Sequence, residues 1–465
     1  MKLASYPEYK DSGQPFLGDI PAHWNLFRNG RLFSQRNETG FGELPILEVS
    51  LKTGVRVRDM ENLKRKQVMA DREKYKRAAQ GDIAYNMMRM WQGAVGVAPI
   101  DGLVSPAYVV VRPFPEVDCR YYSYLFRTAS YMNEVDAYSR GIVKDRNRLY
   151  WQDFKRMPSP VPSIEEQRHI TRFLDAVGSK AQRFIRNKRR FIELLKEQKQ
   201  NVINQAVTRG LDPKVNFKPS GVEWIGDIPE HWEVAPLKHL ASINARVLPE
   251  STDQNYTFKY FDISSVGTGC LSGEPETLRF GQAPSRARRI LKKGDTILST
   301  VRTYLKAVYY VSDEVEDWIA STGFAALTPK KAIHPPFLGL VIQSDNFINR
   351  VIRESIGVAY PAIAETKLGT LHLAYPDSIE EQQAILEHIA DSSKAIDQAI
   401  IRAQREIELM REYRTRLISD VVTGQVDVRG IEVPDVAEEE LLSLEEDTGE
   451  SDDVMDDEGE MDETD

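Results

Sequence analysis

Cysteine is almost missing from this chain: Cys119 and Cys270 are the only two in 465 residues, and neither has a Cys/His cluster around it. That excludes a disulfide scaffold and a thiolate zinc site, and it favours a reducing, cytoplasmic setting. No apolar run approaches the ~18 residues of a membrane span. The opening Met1-Lys2-Leu3-Ala4-Ser5-Tyr6-Pro7 does not read as a secretory signal, so no membrane partner is expected. Nucleotide and catalytic signatures are missing too. There is no Gly-x-x-x-x-Gly-Lys-[Ser/Thr], no Gly-x-Gly-x-x-Gly after a strand, no His-Glu-x-x-His and no nucleophile elbow. Neither a catalytic residue nor a metal ligand can be named. The seven histidines are scattered, and His23 and His231, each beside a tryptophan, read as packing where the chain enters a domain.

The overall charge is misleading. The formal net charge is −9, yet residues 432–465 hold 18 acidic residues and no basic one. The remaining 431 residues carry 61 basic against 52 acidic side chains, a net of about +9. A basic body suits a polyanion. The tail, rich in Glu and Asp, is expected to be disordered: a solvating appendage, a mask for a basic groove, or a docking tail.

What the chain does have is a repeat. Gly18-Asp19-Ile20-Pro21-Ala22-His23-Trp24 returns 208 positions later as Gly226-Asp227-Ile228-Pro229-Glu230-His231-Trp232. Ser163-Ile164-Glu165-Glu166-Gln167 returns 215 positions later as Ser378-Ile379-Glu380-Glu381-Gln382. Between them, Gly81-Asp82 with Arg89 echoes Gly294-Asp295 with Arg302, and Ser105-Pro106-Ala107-Tyr108 echoes Ser321-Thr322-Gly323-Phe324. Matches in one order at nearly constant offset mean a tandem duplication of a unit of roughly 210 residues, too long for a solenoid.

Each unit reads as a globular part followed by a long helix. The globular parts mix short β-rich runs, such as Ala107 to Val111 and Lys306 to Val311, with helical stretches Arg120 to Tyr138 and Phe337 to Glu354. The serine and second glutamate of each Ser-Ile-Glu-Glu-Gln form a capping box, with the glutamate expected to reach back to the backbone. After the first box, Ile170, Leu174, Val177, Ala181, Phe184, Lys188, Phe191, Leu195, Gln198 and Val202 alternate spacings of four and three, a coiled-coil seam. The second helix gives Ile385, Ile389, Ser392, Ile396, Ala399, Ala403, Met410, Tyr413 and Leu417. Both helices are expected to stop near Gly210 and Gly424 and to pair with each other, antiparallel, with the globular parts at opposite ends.

His334-Pro335-Pro336-Phe337 resembles the Asn/Asp-Pro-Pro-Tyr/Phe motif of amino-methyltransferases, but histidine is a poor first residue and the first repeat has no equivalent. It reads better as a helix start with proline in the first turn.

The twice-occurring Gly-Asp-Ile-Pro-x-His-Trp and the twice-occurring Ser-Ile-Glu-Glu-Gln, in this order, resemble the DNA-specificity subunit of type I restriction-modification systems over about residues 12–424. Ser299-Thr300-Val301-Arg302, Ile319 to Phe324, Asn86-Met87-Met88-Arg89, Gly93 to Gly96 and Gly102 to Pro106 also look like that family's recognition domains. The resemblance implies an α+β chain: two tandem mixed α/β target-recognition domains separated by two long helices forming an antiparallel coiled coil. Its boundaries would be 1–162 for the first recognition domain, 163–209 for the central spacer helix, 210–377 for the second domain, 378–424 for the distal helix and 425–465 for the acidic tail. It further implies a non-catalytic reader of double-stranded DNA that carries no cofactor. Two adenine methyltransferase (modification) subunits, and restriction or motor subunits, would be its partners and hold S-adenosylmethionine, ATP and magnesium.

Arginine and lysine read guanine, asparagine and glutamine read adenine, and other contacts go to phosphates. Candidates in the first domain are Lys64, Arg65 and Lys66, then Arg72, Lys74, Lys76 and Arg77, the turn Arg89-Met90-Trp91-Gln92, and Lys144, Arg146 and Arg148. In the second they are Arg286, Arg288, Arg289, Lys292 and Lys293, then Arg302, Thr303 and Tyr304, and Tyr360. Two other readings stay open: an enzyme with its own methyltransferase or nuclease site, and a coiled-coil scaffold whose tail holds a basic protein.

Overall fold

The structure, a computed structural model, describes residues 4–51, 53–58, 72–141, 147–434 and 436. The chain forms two compact units, residues 1–189 with 404–465, and residues 190–403. No described helix is long and apolar enough to cross a membrane.

The duplication is a duplication of topology. In the first unit a four-stranded antiparallel sheet runs, edge to edge, Phe33–Arg36, Tyr108–Pro113, Ile83–Asn86, Val95–Val97. In the second the order is Ala241–Ile243, Phe324–Pro329, Thr296–Ser299, Val308–Tyr310, again all antiparallel. The weaker sequence echoes mark this sheet. Tyr108 and Phe324 open equivalent central strands, each after a serine whose hydroxyl accepts from the backbone N–H two residues on. Asp82 and Asp295 are buried, and each pairs with an arginine, Arg36 and Arg246, beside a glycine in the left-handed region. The Gly-Asp echo is therefore a structural ion pair.

Each helical stretch expected as one piece is two. Cys119–Phe126 stops before Thr128, which caps Ala129–Tyr138, and Pro335–Gln343 stops before Ser344, which caps Asp345–Glu354. A hydroxyl that satisfies the next helix's free N–H breaks the run. Pro335 opens its helix as the sequence suggests, and the strand expected over Lys306 to Val311 is shorter, Val308–Tyr310.

The long helices run Ile164–Arg209 and Ile379–Val422. Gly210 and Gly424 end them in the left-handed conformation, which a glycine adopts without steric cost. The two helices pack antiparallel. In the first unit His169 Nε2 meets the Val428 carbonyl at 2.8 Å and Lys188 pairs with Glu406, while in the second Lys199 Nζ binds Asp397 at 2.7 Å and Ile203 shares a core with Ile385 and Ile389.

The seam itself differs from the heptad reading. Phe191 is 44% exposed and its neighbour Ile192 8%; likewise Ile203 is buried where Val202 was expected, and Tyr413 lies outside while Ile407 lies inside. Buried Ile170, Ala181, Ile192 and Ile203 are eleven residues apart, as are Ile385, Ile396 and Ile407. A helix of about 3.6 residues per turn drifts by about 20° per heptad, and over forty-odd residues a period nearer 3.67 keeps one face inward. Lys188, expected as a polar seam position, meets Glu406, and the lysine that fills the next such place is Lys199 rather than Gln198.

Candidate nucleic-acid interface

The two repeated motifs that define the units meet each other. Trp24 is fully buried, and its indole N–H donates to Glu166 Oε1 at 3.0 Å, while His23 Nε2 meets Glu166 Oε2 at 3.0 Å. The Tyr6 hydroxyl donates to the same carboxylate at 2.8 Å, and burial, then Glu166's charge, pushes its pKa far up, so the proton stays available. In the second unit Trp232 and His231 hold Glu381 at 2.9 Å each. The capping boxes are thus half formed. Ser163 and Ser378 accept from the backbone N–H of Glu166 and Glu381 at 3.2 Å, but each glutamate side chain turns away to the tryptophan and histidine. The following glutamines, Gln167 and Gln382, accept from the backbone N–H of Asp118 and His334 and donate to the carbonyls of Pro162 and Pro376. Both motifs are scaffolding. His23 and His231 pack where each domain begins.

Beyond the sheet each unit presents the same turn. Met90–Gln92 and Thr303–Leu305 are short 3-10 helices, each preceded by the repeat arginine, Arg89 or Arg302. The residue closing each turn is left-handed: Gly93 in one, Lys306 in the other. Arg302 is left-handed as well, so the second turn holds two non-glycine residues in a conformation that costs each of them energy. Such strain collects where a side chain must be aimed.

Beside the turn lies a second element repeated in both units. The helices Ala129–Tyr138 and Asp345–Glu354 end at Ser139 and Ser355, whose hydroxyls donate to the carbonyls of Val135 and Val351. Next, Arg140 pairs with Arg148 in one unit and Ile356 with Ala362 in the other, so each serine is followed by a loop closed by a single antiparallel bridge. The backbone N–H of Leu149 donates to Met87 O, and that of Ile363 to Thr300 O, both at 2.9 Å, which ties the foot of each loop, here called a finger, to the segment that leads into its arginine turn.

The expected contact residues divide accordingly. Arg89, Trp91, Gln92 and Arg148 fall on the first turn and finger, and Arg302, Thr303, Tyr304 and Tyr360 on the second. Arg89 Nη1 donates to Gln92 Oε1 at 3.2 Å, and the Trp91 indole donates to Met88 O at 2.9 Å. The Arg302 guanidinium lies 4.8 Å from the centre of the Tyr360 ring, and Thr303 is buried against Ser355 at 2.8 Å. The others sit elsewhere. Arg77 is held by Asp101 and Glu38 and stacks on Phe41; Arg289 is bound to Glu365; Arg286 donates to the Tyr260 hydroxyl; Arg288 lies over Phe280. Lys76 Nζ is spent on the carbonyls of Pro106 and Tyr108, and burial lowers its pKa. Lys64, Arg65, Lys66, Lys144 and Arg146 lie outside the described residues. The fingers as repeated elements were missed. Their sequence echo, Ser139-Arg140-Gly141 against Ser355-Ile356-Gly357, has two identities in three residues and is too short to stand out.

Residues 229–409 match the family model of the type I restriction modification DNA specificity domain. The chain is 25% identical over 294 residues to the type I restriction enzyme MjaVIII specificity subunit of Methanocaldococcus jannaschii, a match covering 60% of this chain and 64% of that one. It is 23% identical over 441 residues to the putative MjaX specificity subunit of the same organism, covering 89% and 96%. By these matches the chain is similar to the type I restriction-modification DNA specificity subunits. Its fold is similar to that of a chain from a solved structure of type I R-M complex assembly and conformational transition, with a TM-score of 0.58 over 87% of this chain and 98% of that one at 14% identity.

Proposed function

We propose that this subunit is the non-catalytic reader of a bipartite, gapped DNA target. Each unit reads one half with its arginine turn and finger, and the two long helices set the gap and dock two adenine methyltransferase subunits. Restriction or motor subunits join the same complex; S-adenosylmethionine, ATP and magnesium belong to the partners. The observation that carries this reading is the repetition of one presented turn and one finger on one sheet topology, with side chains that differ between the two copies. A duplicated fold with diverged tips suits two different half-sites. Side-chain contacts to base edges supply selectivity, and phosphate contacts supply position.

A base-resolution methylome of the source cells, with and without this gene, tests the proposal. Loss of one gapped methyl-adenine motif on deletion is the expected result; an unchanged methylome together with no sequence preference in the purified assembly overturns it. Within the assembly, Arg302→Ala is expected to weaken discrimination in one half-site by about 5–150-fold, the range for a lost bidentate base contact, and Arg89→Ala the other half. Binding to mutated half-sites checks this. Equal loss in both halves would mean that the units do not read separately.

A chain ending at residue 434 keeps every described residue but one and removes most of the acidic tail. If the tail masks a basic groove, that truncation tightens DNA binding at low salt, where charge repulsion is least screened; unchanged affinity leaves the tail a solvating or docking segment.

A further inference from the structure

The finger of the second unit exposes what globular surfaces seldom expose together. Val358 is fully exposed, Ile356 is 85% exposed and Tyr360 62%, all within seven residues. The loop is nevertheless held firmly. Ile356 and Ala362 exchange backbone hydrogen bonds at 2.9 and 3.0 Å, Ala362 also bridges to Val301, and the Arg302 N–H donates to Pro361 O at 2.8 Å. Gly357 takes a φ of +119°, and a Cβ there would lie 3.1 Å from Tyr360 O. The apolar tip is thus fixed in place beside a cation. Among the described residues the Arg302 guanidinium has no carboxylate partner, and it lies against the Tyr360 ring.

We infer that this finger is the specificity-determining element of the second unit, with Tyr360 positioning the Arg302 guanidinium for a guanine edge and Val358 contacting the 5-methyl group of an adjacent thymine in the major groove. The inference rests on the DNA-reading function proposed above and names the chemistry of its second half-site. A guanidinium stacked on an aromatic ring loses rotational freedom before binding, so its fork is aimed in advance at the two acceptors of guanine. A branched aliphatic side chain has no hydrogen bond to offer a base, and the thymine methyl is the one apolar group on the major-groove edge. In the first unit Arg140 and Arg148 stand in the places of Ile356 and Ala362 at the base of the finger.

The test uses the full chain assembled with its methyltransferase subunits. A random duplex pool first yields the two-part motif. The selected duplex is then remade with each thymine of the second half-site replaced, one at a time, by deoxyuridine, which lacks only the methyl. One position is expected to lose about four-fold in affinity, the value of one buried methyl. Val358→Ala is expected to lose about ten-fold on the thymine duplex and to be nearly indifferent to deoxyuridine at that position, a coupling that marks direct contact. Tyr360→Phe should keep guanine selectivity in that half and Tyr360→Ala relax it. Val358→Ala binding as well as the parent, or a loss that simply adds to that of deoxyuridine, overturns the inference while leaving the two-part motif intact. A pool that yields no motif overturns the DNA-reading function itself.

Discussion

Glu166→Ala is expected to destabilise the first unit by about 3–5 kcal/mol, the cost of removing one partner from a buried, charge-assisted network. Glu166 is almost fully buried and accepts from Tyr6, Trp24 and His23 at once. Alanine leaves the Tyr6 hydroxyl and the Trp24 indole N–H buried with nothing to replace the acceptor, and neither can turn to water. Glu381→Ala removes a carboxylate whose side chain is 29% exposed and that serves two donors, so about 1–2 kcal/mol is expected there. Calorimetry of the full chain reads the size of each effect. Amide exchange at the start of each long helix reads its place: residues 164–174 should lose protection in the first variant and 379–389 in the second. Equal losses from the two variants would show that burial does not set the cost. Glu166→Gln, which keeps an acceptor for the indole, should recover much of the stability.

The Glu166 and Glu381 clamps also give the two most legible motifs of the sequence a structural role. Trp24 contacts Glu166 at the start of the first long helix and, through its ring, Gly424 at the end of the second, where a Cβ would come within 3.0 Å of it. Trp232 likewise binds Glu381 and lies against Gly210, where a Cβ would come within 3.5 Å of its ring. Each motif joins the head of one long helix to the foot of the other, so both copies face the same packing demands and have kept the same residues. The repeat, the helices and their antiparallel pairing could therefore be read from the sequence. The seam drifted out of reach because a heptad and an eleven-residue period agree for the first eleven residues, about three turns, and then part, which is why Ala181 was placed and Ile192 was not. The capping glutamates were misread because a local rule cannot see a tryptophan more than a hundred residues away. The arginine turns were found through Gly-Asp, a marker that itself turned out to be a buried ion pair with Arg36 or Arg246. The fingers differ in their side chains, and sequence similarity is blind where two copies have diverged.

Ending the chain at Gly424 is expected to cost the first unit on the order of 3 kcal/mol, about what deleting one buried aliphatic side chain costs, whereas ending it at Pro434 is expected to cost little. The segment from residue 425 onward looks like the beginning of a solvated tail, yet four apolar side chains among its first ten residues join the first unit's core. Val428 is fully buried, and Val426, Ile431 and Val433 pack beside it. Asp427 bridges to Ala4, the Gln425 side chain donates to Asp19 O, and Arg429 lies 4.8 Å from the Tyr6 ring centre while pairing with Asp427 at 2.7 Å. Alternating valines give these residues a reason to stay that composition alone conceals: the acidic count that marked the tail begins at Glu432, after the last fully buried residue. Tyr6 links this segment to the clamp, since it donates to Glu166 on one side and carries Arg429 on the other. Truncation at Gly424 and Glu166→Ala should therefore be less than additive, because each loosens the structure that the other depends on. Thermal unfolding of the two truncations, alone and combined with Glu166→Ala, measures that coupling. Full additivity would mean that the C-terminal segment and the clamp stabilise the first unit independently.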